Sequence, residues 1–401
     1  MKAKNHTDLY REVVAGFVGS EDPLLEMLKW TMQQMMAIEA EQKVGASKHV
    51  HSEDRSTHFS GYRLRRFDTR LGTAYLAIPK LRKGGYVPFF LTEKRRSEQA
   101  LLTMVQEAFV NGVSTRKIER IAQAMGIENI SASQVSEINK GLDAQVEAFR
   151  TRPLNEEYPF VWVDALYEKI RNPEGRIVST AIMIAYGVNR EGNREVLAIE
   201  PMPSESTETW KDFFFKLKQR GVQKIALLIS DAHQGIRSGA EQVFAGCGWQ
   251  RCKVHFMRNI LAYVSPKEKE KFAAKLKQIW LQENKEAALA IAHLLIEEYR
   301  KRFPEAIEKL EMGLEDSLQF YHFEQIDKRR IASTNTLERL NKEVRRRSKV
   351  VGVFPSKESY IRLITCYLME FTEEWEVEKR YICPDKLTLV MEKHEELQLA
   401  A

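Results

Sequence analysis

The chain has 401 residues, of which 43% are hydrophobic and 29% charged, so its composition is that of a globular protein with about two to four domains. Its 62 basic and 56 acidic residues leave a net charge of +6, which is too small to identify a partner. No apolar run approaches the ~18 residues of a membrane span, and the first residues lack the apolar stretch of a signal peptide. We expect a cytoplasmic protein without a membrane partner, whose four scattered cysteines are reduced thiols.

Positive charge is concentrated in one segment. Between Arg55 and Arg120 the sequence has fourteen basic and five acidic residues, a larger excess than that of the whole chain. Such a segment is either a solvated basic face or a surface that binds a polyanion. Within it, residues 59–92 alternate apolar with basic side chains and are interrupted by glycines, which predicts short strands with arginine and lysine pointing outward.

Helices are predicted on both sides of these strands. Asp22 and Pro23 suit the cap and first turn of a methionine-rich helix over residues 22–45. Residues 97–150 contain further helices, two of them short and separated by a turn at Gly126. This spacing fits a helix-turn-helix with residues 133–140 as recognition helix, although ordinary helical hairpins share it. With the basic segment beside it, the pattern predicts DNA binding.

The hydrophobic period changes after Pro153. Three apolar segments have the pattern of strands, an amphipathic helix follows, and the run KIALLIS has that of a buried strand. This order predicts an α/β domain with a mixed sheet. From Arg258 to about Phe323 the pattern is wholly helical, and another helix starts near Ser333, so the helical stretch resembles an insertion within the α/β domain.

Three acidic residues of this domain are candidates for chemistry. Asp164 stands inside an apolar strand, where a carboxylate needs a partner such as a metal ion. Asp231 follows the strand KIALLIS, at the edge where α/β sheets place ligand groups. Glu338, on the last of these helices, shares a stripe with Lys342 and Arg345. Each acid alone could also be a helix cap, a salt-bridge partner or a solvated charge.

Glu343 is the rival to Glu338 on the same helix. The two are five residues apart, roughly 140° around the helix axis, so we expect Glu343 to face elsewhere. Three carboxylates suit Mg²⁺, with Mn²⁺ as a substitute, because hard ions prefer oxygen ligands. Two such ions can activate the attacking oxygen and stabilise the leaving oxygen of a phosphodiester. The same helix and its exit carry the positive charge that a nucleic acid needs: Arg339, Lys342, Arg345, Arg346, Arg347 and Lys349.

Ordered blocks along most of the chain carry a family resemblance. They include SGYRLRRFDTRLGTAYLAIPKLRKG, NGVSTRKIERI, YPFVWVDALYEKIR, QRCKVHFMRN and STNTLERLNKEVRR. With them the chain resembles the mutator-type transposases of bacterial insertion sequences. The resemblance implies an RNase H-like catalytic fold in which Asp164, Asp231 and Glu338 are the catalytic, metal-binding triad. It also implies cleavage of the element's 3′ ends at terminal inverted repeats and strand transfer by the freed 3′-hydroxyls, often through circular intermediates.

The expected organisation follows from the pattern and the resemblance together. The RNase H-like mixed-sheet domain covers 153–257 and 331–375 and is interrupted by an all-helical insertion at 258–330. Before it come an N-terminal helical region (1–58), a small basic β element (59–93) and the helix-turn-helix-like region (94–152), and after it a tail (376–401). The partners implied are double-stranded DNA, as inverted repeats and target, and a second copy of the chain, because two DNA ends must be joined. The location would be cytoplasmic, on the nucleoid.

Residues beyond the triad are expected to bind DNA or support the acids. Cys252 and His255, in QRCKVHFMRN, are given a supporting role, and no zinc site is expected because a structural zinc normally needs four nitrogen or sulfur ligands. Phosphate and base contacts are expected from Arg63, Arg65, Arg66, Arg82, Arg116, Lys117, Ser133, Gln134, Ser136, Arg258, Asn259, Arg339, Lys342, Arg345 and Arg346.

Other functions remain open at this level. A DNA-binding regulator or domesticated transposase would bind DNA without strand transfer. A structure-specific RNase H-like nuclease would hydrolyse DNA without joining it. An enzyme directed at RNA would cleave a hybrid duplex regardless of repeat sequence.

Overall fold

The computed structural model describes residues 14–69, 72–124 and 130–399, and these divide into two compact units. The first unit holds the described residues up to Gln106 together with Arg116–Val135, and the second holds Glu107–Thr115 and everything from Ser136 onward. Residues 1–13 of the predicted N-terminal region, and the predicted turn at Gly126, lie outside the described residues.

The first unit packs a helix against a two-stranded antiparallel hairpin. Asp22 caps the helix by accepting a hydrogen bond from the backbone N–H of Leu25, and Pro23 stands in its first turn, which confirms the predicted start. The elements are α1 (Pro23–Val44), β1 (Phe59–Thr69) and β2 (Gly72–Leu81). The core between them is formed by Met32, Met36, Ala40, Ala74, Leu76, Ile78 and Tyr86.

Four short-to-medium helices follow the hairpin along the chain. They are α2 (Phe89–Val110), α3 (Thr115–Ala124), α4 (Ala132–Asn139) and α5 (Asp143–Thr151). Helix α2 begins directly after Pro88, earlier than the predicted Ser97, because no helix-breaking residue stands between them. Ser131 and Gln134 open α4 with reciprocal hydrogen bonds between side chain and backbone, the capping box that a serine followed three residues later by glutamine favours.

A five-stranded mixed sheet forms the centre of the second unit. Its order is β5-β4-β3-β6-β7, with the first three strands antiparallel and β6 and β7 parallel to β3. The strands are β3 (Glu157–Arg171), β4 (Ile177–Val188), β5 (Arg194–Met202), β6 (Lys224–Ser230) and β7 (Gly248–Arg251). The prediction of a mixed sheet is confirmed, whereas the short β7 has too few residues to show a strand period and was not predicted.

Helices cover both faces of this sheet because its central strands are apolar on both sides. Helices α6 (Thr207–Gln219) and α7 (Gln234–Val243) pack on one face, where Trp210, Phe213 and Phe214 join the apolar residues of β3 and β6. On the other side lie α13 (Asn335–Val351) and α14 (Lys357–Val377). Helix α14 is buried along most of its length because it contacts the sheet at β5 and β3 and also packs on α5 and α13.

The chain between β7 and α13 is helical, as predicted. It contains α8 (Lys253–Leu261), α9 (Lys269–Gln278), α10 (Lys285–Tyr299), α11 (Pro304–Gly313) and α12 (Lys328–Ile331). Asn284 caps α10 and Pro304 opens α11, both in the positions that the sequence indicates. The last helix, α15 (Pro384–Leu399), packs on β3 and β6. Among the described residues, no helix is long and apolar enough to cross a membrane.

The turn between β4 and β5 gives a test of the fold. Gly192 has φ +85°, and a Cβ there would overlap the backbone carbonyl of Ile382, whose N–H bonds to the Gly192 carbonyl. Gly175, in the turn between β3 and β4, has nearly the same φ of +81° but open space around it. Gly175→Ala should lower the free energy of unfolding by about 1 kcal/mol, because alanine is strained in the left-handed region. Gly192→Ala should lower it by about 1–3 kcal/mol more than Gly175→Ala does, because the added Cβ also overlaps the Ile382 carbonyl. Denaturant unfolding measures both, and equal losses would contradict the packing of residues 380–382 on this turn.

Candidate active site

Asp164 lies near the middle of β3, the central strand, and its carboxylate is mostly buried. Oδ1 accepts a hydrogen bond from the backbone N–H of Ala165 at 2.9 Å, and Oδ2 accepts one from Nδ2 of Asn341 on α13 at 2.7 Å. The strand therefore holds the acid, and the neighbouring helix fixes its orientation.

Asp231 directly follows β6, the parallel neighbour of β3. The register between the two strands ends at the pair Trp162 and Ile229, two residues before each acid. The charge of Asp231 acts on Asp164 and raises its pKa, so the two acids are close enough to interact. Oδ1 of Asp231 accepts a hydrogen bond from the backbone N–H of His233 at 3.0 Å. The His233 side chain in turn caps α7 by accepting a bond from Gly235, so its ring serves the fold.

Glu338 stands in the first turn of α13. Its Oε1 lies 3.1 Å from Nε2 of His255 on α8, but the alignment leaves this oxygen without a hydrogen-bond partner, so the contact is electrostatic. Glu338 pairs with this histidine and not with Lys342, the partner that a solvated acid on the helix would take.

An open groove of about 650 Å³ runs along α13 beside these acids. Asp164 and Glu338 line it together with His255 and Asn341. Glu343 and four exposed basic side chains also line it, the basic ones being Lys342, Arg345, Arg346 and Lys349. The groove thus combines buried acids at one end with a cationic track, which suits a polyanion whose backbone passes the acids.

Electrostatics set Asp164 apart from the other acids. Burial, followed by the charges of Asp231 and Glu205, raises the pKa of Asp164 to about 6, although the Ala165 hydrogen bond and His255 lower it. The pKa of His255 is raised, chiefly by its hydrogen bond with Cys252 and further by nearby acids, against the effect of burial. A cation between the acids would offset the repulsion that raises the pKa of Asp164.

The donor set fits a hard divalent cation. Glu338 Oε1 and Asn341 Oδ1 are buried oxygen atoms without hydrogen-bond partners, and both residues line the groove beside Asp164. In the arrangement described for residues 14–69, 72–124 and 130–399, no three Asp, Glu, His or Cys side chains converge on one point. Asp164 interacts electrostatically with Asp231 and shares the groove with Glu338, and His255 contacts Glu338.

Two expectations about α13 are wrong. Glu343 does not face away from the groove but lines it, because its flexible side chain reaches the rim and pairs with Arg346 at 2.7 Å. Arg347 is not part of the basic track: it is 7% exposed, donates to the backbone carbonyl of Val110 and lies over the ring of Tyr367. The helix turns by about 100° per residue, so a run of consecutive arginines cannot all face one side.

Cys252 links the strand that precedes Asp231 to the helix that carries Glu338. Its backbone N–H donates to the carbonyl of Ser230 at 2.7 Å. Its Sγ accepts from the backbone N–H and the hydroxyl of Thr334, at 3.3 and 3.2 Å, and Thr334 is the cap residue of α13. Burial opposes ionisation of the thiol, but the hydrogen bonds with His255 and Thr334 outweigh it and lower the pKa of Cys252.

The residues expected to contact DNA are all exposed. Some of them also make local contacts: Arg63 donates to the backbone carbonyl of Tyr86, Arg66 donates to the hydroxyl of Thr73, and Arg346 pairs with Glu343. The Gln134 side chain belongs to the cap of α4. The exposed set is Arg63, Arg65, Arg66, Arg82, Arg116, Lys117, Ser133, Gln134, Ser136, Arg258, Asn259, Arg339, Lys342, Arg345 and Arg346.

Sequence reasoning missed three residues around the acids. Asn341 follows Glu338 by three residues and so shares its helix face, a spacing that could have identified it. Thr334 and Glu205 have no such signal, because only the fold brings them to Cys252 and Asp164.

Comparison with known proteins decides the family. A model of the Mutator family of transposases matches residues 2–378. The chain belongs to this family. The transposase of insertion sequence element IS1081 from Mycobacterium tuberculosis is 39% identical over 371 residues, covering 92% of this chain and 89% of that protein. The transposase of IS256 in transposon Tn4001 from Staphylococcus aureus is 36% identical over 370 residues, covering 91% and 94%.

Two further similarities extend the comparison. The transposase of ISRM5 from Rhizobium meliloti is 35% identical over 370 residues, covering 92% of this chain and 93% of that protein. Among solved structures, the Drosophila P element transposase strand transfer complex matches with a TM-score of 0.30 and 9% identity, over 71% of this chain and 83% of that one. The structural similarity is too low to carry a conclusion about the fold. The sequence similarities make this family member a transposase.

The Cys252 link can be tested by stability. Cys252→Ala should leave the backbone N–H of Thr334 without its acceptor, whereas the hydroxyl keeps the contact with Nδ1 of His255 at 3.5 Å. The lost acceptor adds about 1–3 kcal/mol to the cost of the lost thiol. Cys366→Ala, which removes a buried thiol from α14, is the matched control for lost packing alone. Cys252→Ser keeps an acceptor and should recover part of the difference. Denaturant unfolding of the three variants measures this, and equal losses in the two alanine variants would show that the link contributes nothing.

Proposed function

We propose that this protein is a DNA transposase that cuts the 3′ ends of its insertion sequence at the terminal inverted repeats and joins them to target DNA. Asp164, Asp231 and Glu338 are its catalytic acids. The observation that carries the proposal is the groove in which Asp164 and Glu338 stand at the head of a row of exposed cations on α13. Membership of the Mutator family of transposases supports it.

The sheet supports an RNase H-like interpretation of the catalytic domain. Three consecutive antiparallel strands are followed by two strands parallel to the first, with Asp164 on the first strand and Asp231 after the fourth. The helical stretch from Lys253 to Ile331 separates the strand after Asp231 from the helix of Glu338, as an insertion domain would. In this arrangement adjacent strands and one packed helix supply all three acids.

The acids would hold divalent cations, with Mg²⁺ as the natural ion and Mn²⁺ as a substitute. When bound, such an ion supplies positive charge that stabilises the phosphate undergoing attack. Asp164 and Asp231 offer two carboxylates that interact electrostatically, and Glu338 offers the oxygen that has no hydrogen-bond partner. His255 orients Glu338, and Cys252 supports His255 and the cap of α13.

Two phosphoryl transfers follow from this site. In end cleavage, a water oxygen forms a bond to phosphorus and the bond from phosphorus to the 3′ oxygen breaks, which leaves a 3′-hydroxyl. In strand transfer, that 3′-hydroxyl oxygen attacks a target phosphate and the target's own 3′ oxygen leaves with a proton. Lys342, Arg345, Arg346 and Lys349 would hold the phosphates on either side of the reacting one.

DNA recognition is proposed for the residues before the catalytic domain. The exposed arginines of the hairpin β1–β2 would bind phosphates, and the exposed side chains of α3 and α4 would contact the repeat. Because two DNA ends enter one event, we propose a homodimer or a larger assembly. Helix α1 supports this with apolar side chains that stay exposed beside its buried face, among them Leu24, Met27 and Ile38.

The acids are tested by amide substitution. Asp164→Asn, Asp231→Asn and Glu338→Gln should each lower end cleavage in Mg²⁺ by at least about 100-fold, since even loss of an outer-shell partner costs 10–100-fold. Binding of inverted-repeat DNA should survive, because the hairpin and helices that bind it are unchanged. The substrate is the DNA that flanks the gene, and products are resolved by electrophoresis.

Controls separate this function from its rivals. Asp212→Asn, an exposed acid of α6, should leave cleavage unchanged. Precleaved ends with a free 3′-hydroxyl should be joined to target DNA by the wild type. Hydrolysis without joining would indicate a nuclease, binding without either reaction would indicate a regulator, and cleavage of RNA–DNA hybrids regardless of the repeat would indicate an RNA-directed enzyme.

The cationic track is tested by salt dependence. Lys342→Ala and Arg345→Ala should each reduce the slope of log K against log salt for end DNA by about 1, because each loses one phosphate contact. Lys301→Ala, an exposed lysine outside the groove, should leave the slope unchanged. Binding isotherms at several salt concentrations give the slopes, and identical slopes in all three variants would exclude DNA from this groove.

A further inference from the structure

Asn341 is the most buried polar side chain of the groove, with 5% of its surface exposed. It stands on α13 one turn after Glu338 and faces Asp164 on β3. Its Nδ2 donates to Asp164 Oδ2 at 2.7 Å, and its Oδ1 is buried without a hydrogen-bond partner. A buried amide normally satisfies both ends, so the unpartnered oxygen requires an explanation.

The orientation of this amide is determined by its neighbour. A carboxylate oxygen accepts hydrogen bonds, so the amide nitrogen of Asn341 must face Asp164. Rotating the amide by half a turn would set two oxygen atoms against each other. The carbonyl oxygen is therefore directed away from that bond, in a groove that already contains the unpartnered Oε1 of Glu338.

We propose that Asn341 belongs to the divalent-cation centre. Its amide nitrogen fixes the Asp164 carboxylate, and its amide oxygen is a neutral oxygen donor to the coordination shell of the cation, as a ligand or as an acceptor from a water ligand. Carbonyl oxygens of asparagine are among the donors that hard cations take. This inference rests on the proposed function, because it adds a residue to the site of the three acids.

Direct binding of Mn²⁺ to the full chain, followed by the electron paramagnetic resonance of the free ion, tests this. Asn341→Leu keeps a similar volume but removes both polar atoms, and it should raise the Kd for Mn²⁺ by about 10–100-fold. Asn335→Leu, at an exposed asparagine of the same helix, should leave the Kd unchanged. In end cleavage, Asn341→Leu should shift the half-saturating Mg²⁺ concentration upward by a similar factor, with part of the rate restored at high Mg²⁺.

Asn341→Asp distinguishes the oxygen role from a purely structural one. This variant retains an oxygen donor but sets a second carboxylate against Asp164, so it should unfold more easily in the absence of divalent ions. It should bind Mn²⁺ at least as tightly as the wild type. Its Tm should therefore rise more than that of the wild type when Mn²⁺ is added. A merely structural residue would give a lower Tm in both variants with an unchanged Kd, and that result overturns the inference. Loss of Mn²⁺ affinity in Asn341→Asp equal to that in Asn341→Leu overturns the oxygen role.

Binding of Mn²⁺ separates the role of Asn341 from the role of the three acids. If the wild type binds Mn²⁺ and Asp164→Asn abolishes that binding while Asn341→Leu does not alter it, only the role of Asn341 is lost. If the wild type binds no Mn²⁺ in the presence of its DNA ends, both are overturned.

Discussion

The burial of one carboxylate governs the architecture around the groove. Asp164 sits on the central strand of a sheet that is covered on both faces, where a charge costs free energy unless neighbours compensate it. The compensation comes from Ala165 next in the chain and from Asn341 on α13, while Asp231 adds repulsion. Helix α13 must therefore lie against β3 for the strand to keep its acid, and this contact also brings Glu338 to the groove.

The position of α13 is fixed at its start by hydrogen bonds from both sides. Trp162, two residues before Asp164, donates its ring N–H to the carbonyl of Ser333 at 3.2 Å. Cys252 accepts from Thr334, the next residue, and bonds through its own N–H to Ser230. Strand β3, which carries Asp164, and strand β6, which precedes Asp231, are thus both connected to the start of α13 by buried hydrogen bonds.

Much of this could be predicted from the sequence, since the signals were local. The capping of α1 by Asp22, the strand periods, the order of strands and helices and the position of the helical stretch after β7 all depend on residues close together along the chain. Asp164 and Asp231 were identifiable because a charge inside or just after an apolar run is conspicuous. Helix α14 was missed because residues 360–368 are buried on every side and so lack the one-sided stripe that marks a surface helix.

The amino-acid sequence was enough to assign the family and the mixed sheet and to propose three acids as candidates, because ordered blocks and hydrophobic periods are recognised without any knowledge of distance. The folded structure was needed to show that Glu343 lines the groove, that Arg347 turns inward to Val110 and Tyr367, and that Asn341 donates a hydrogen bond to Asp164. These outcomes depend on which surface packs against which, and residues far apart in sequence have no local pattern that records their contact.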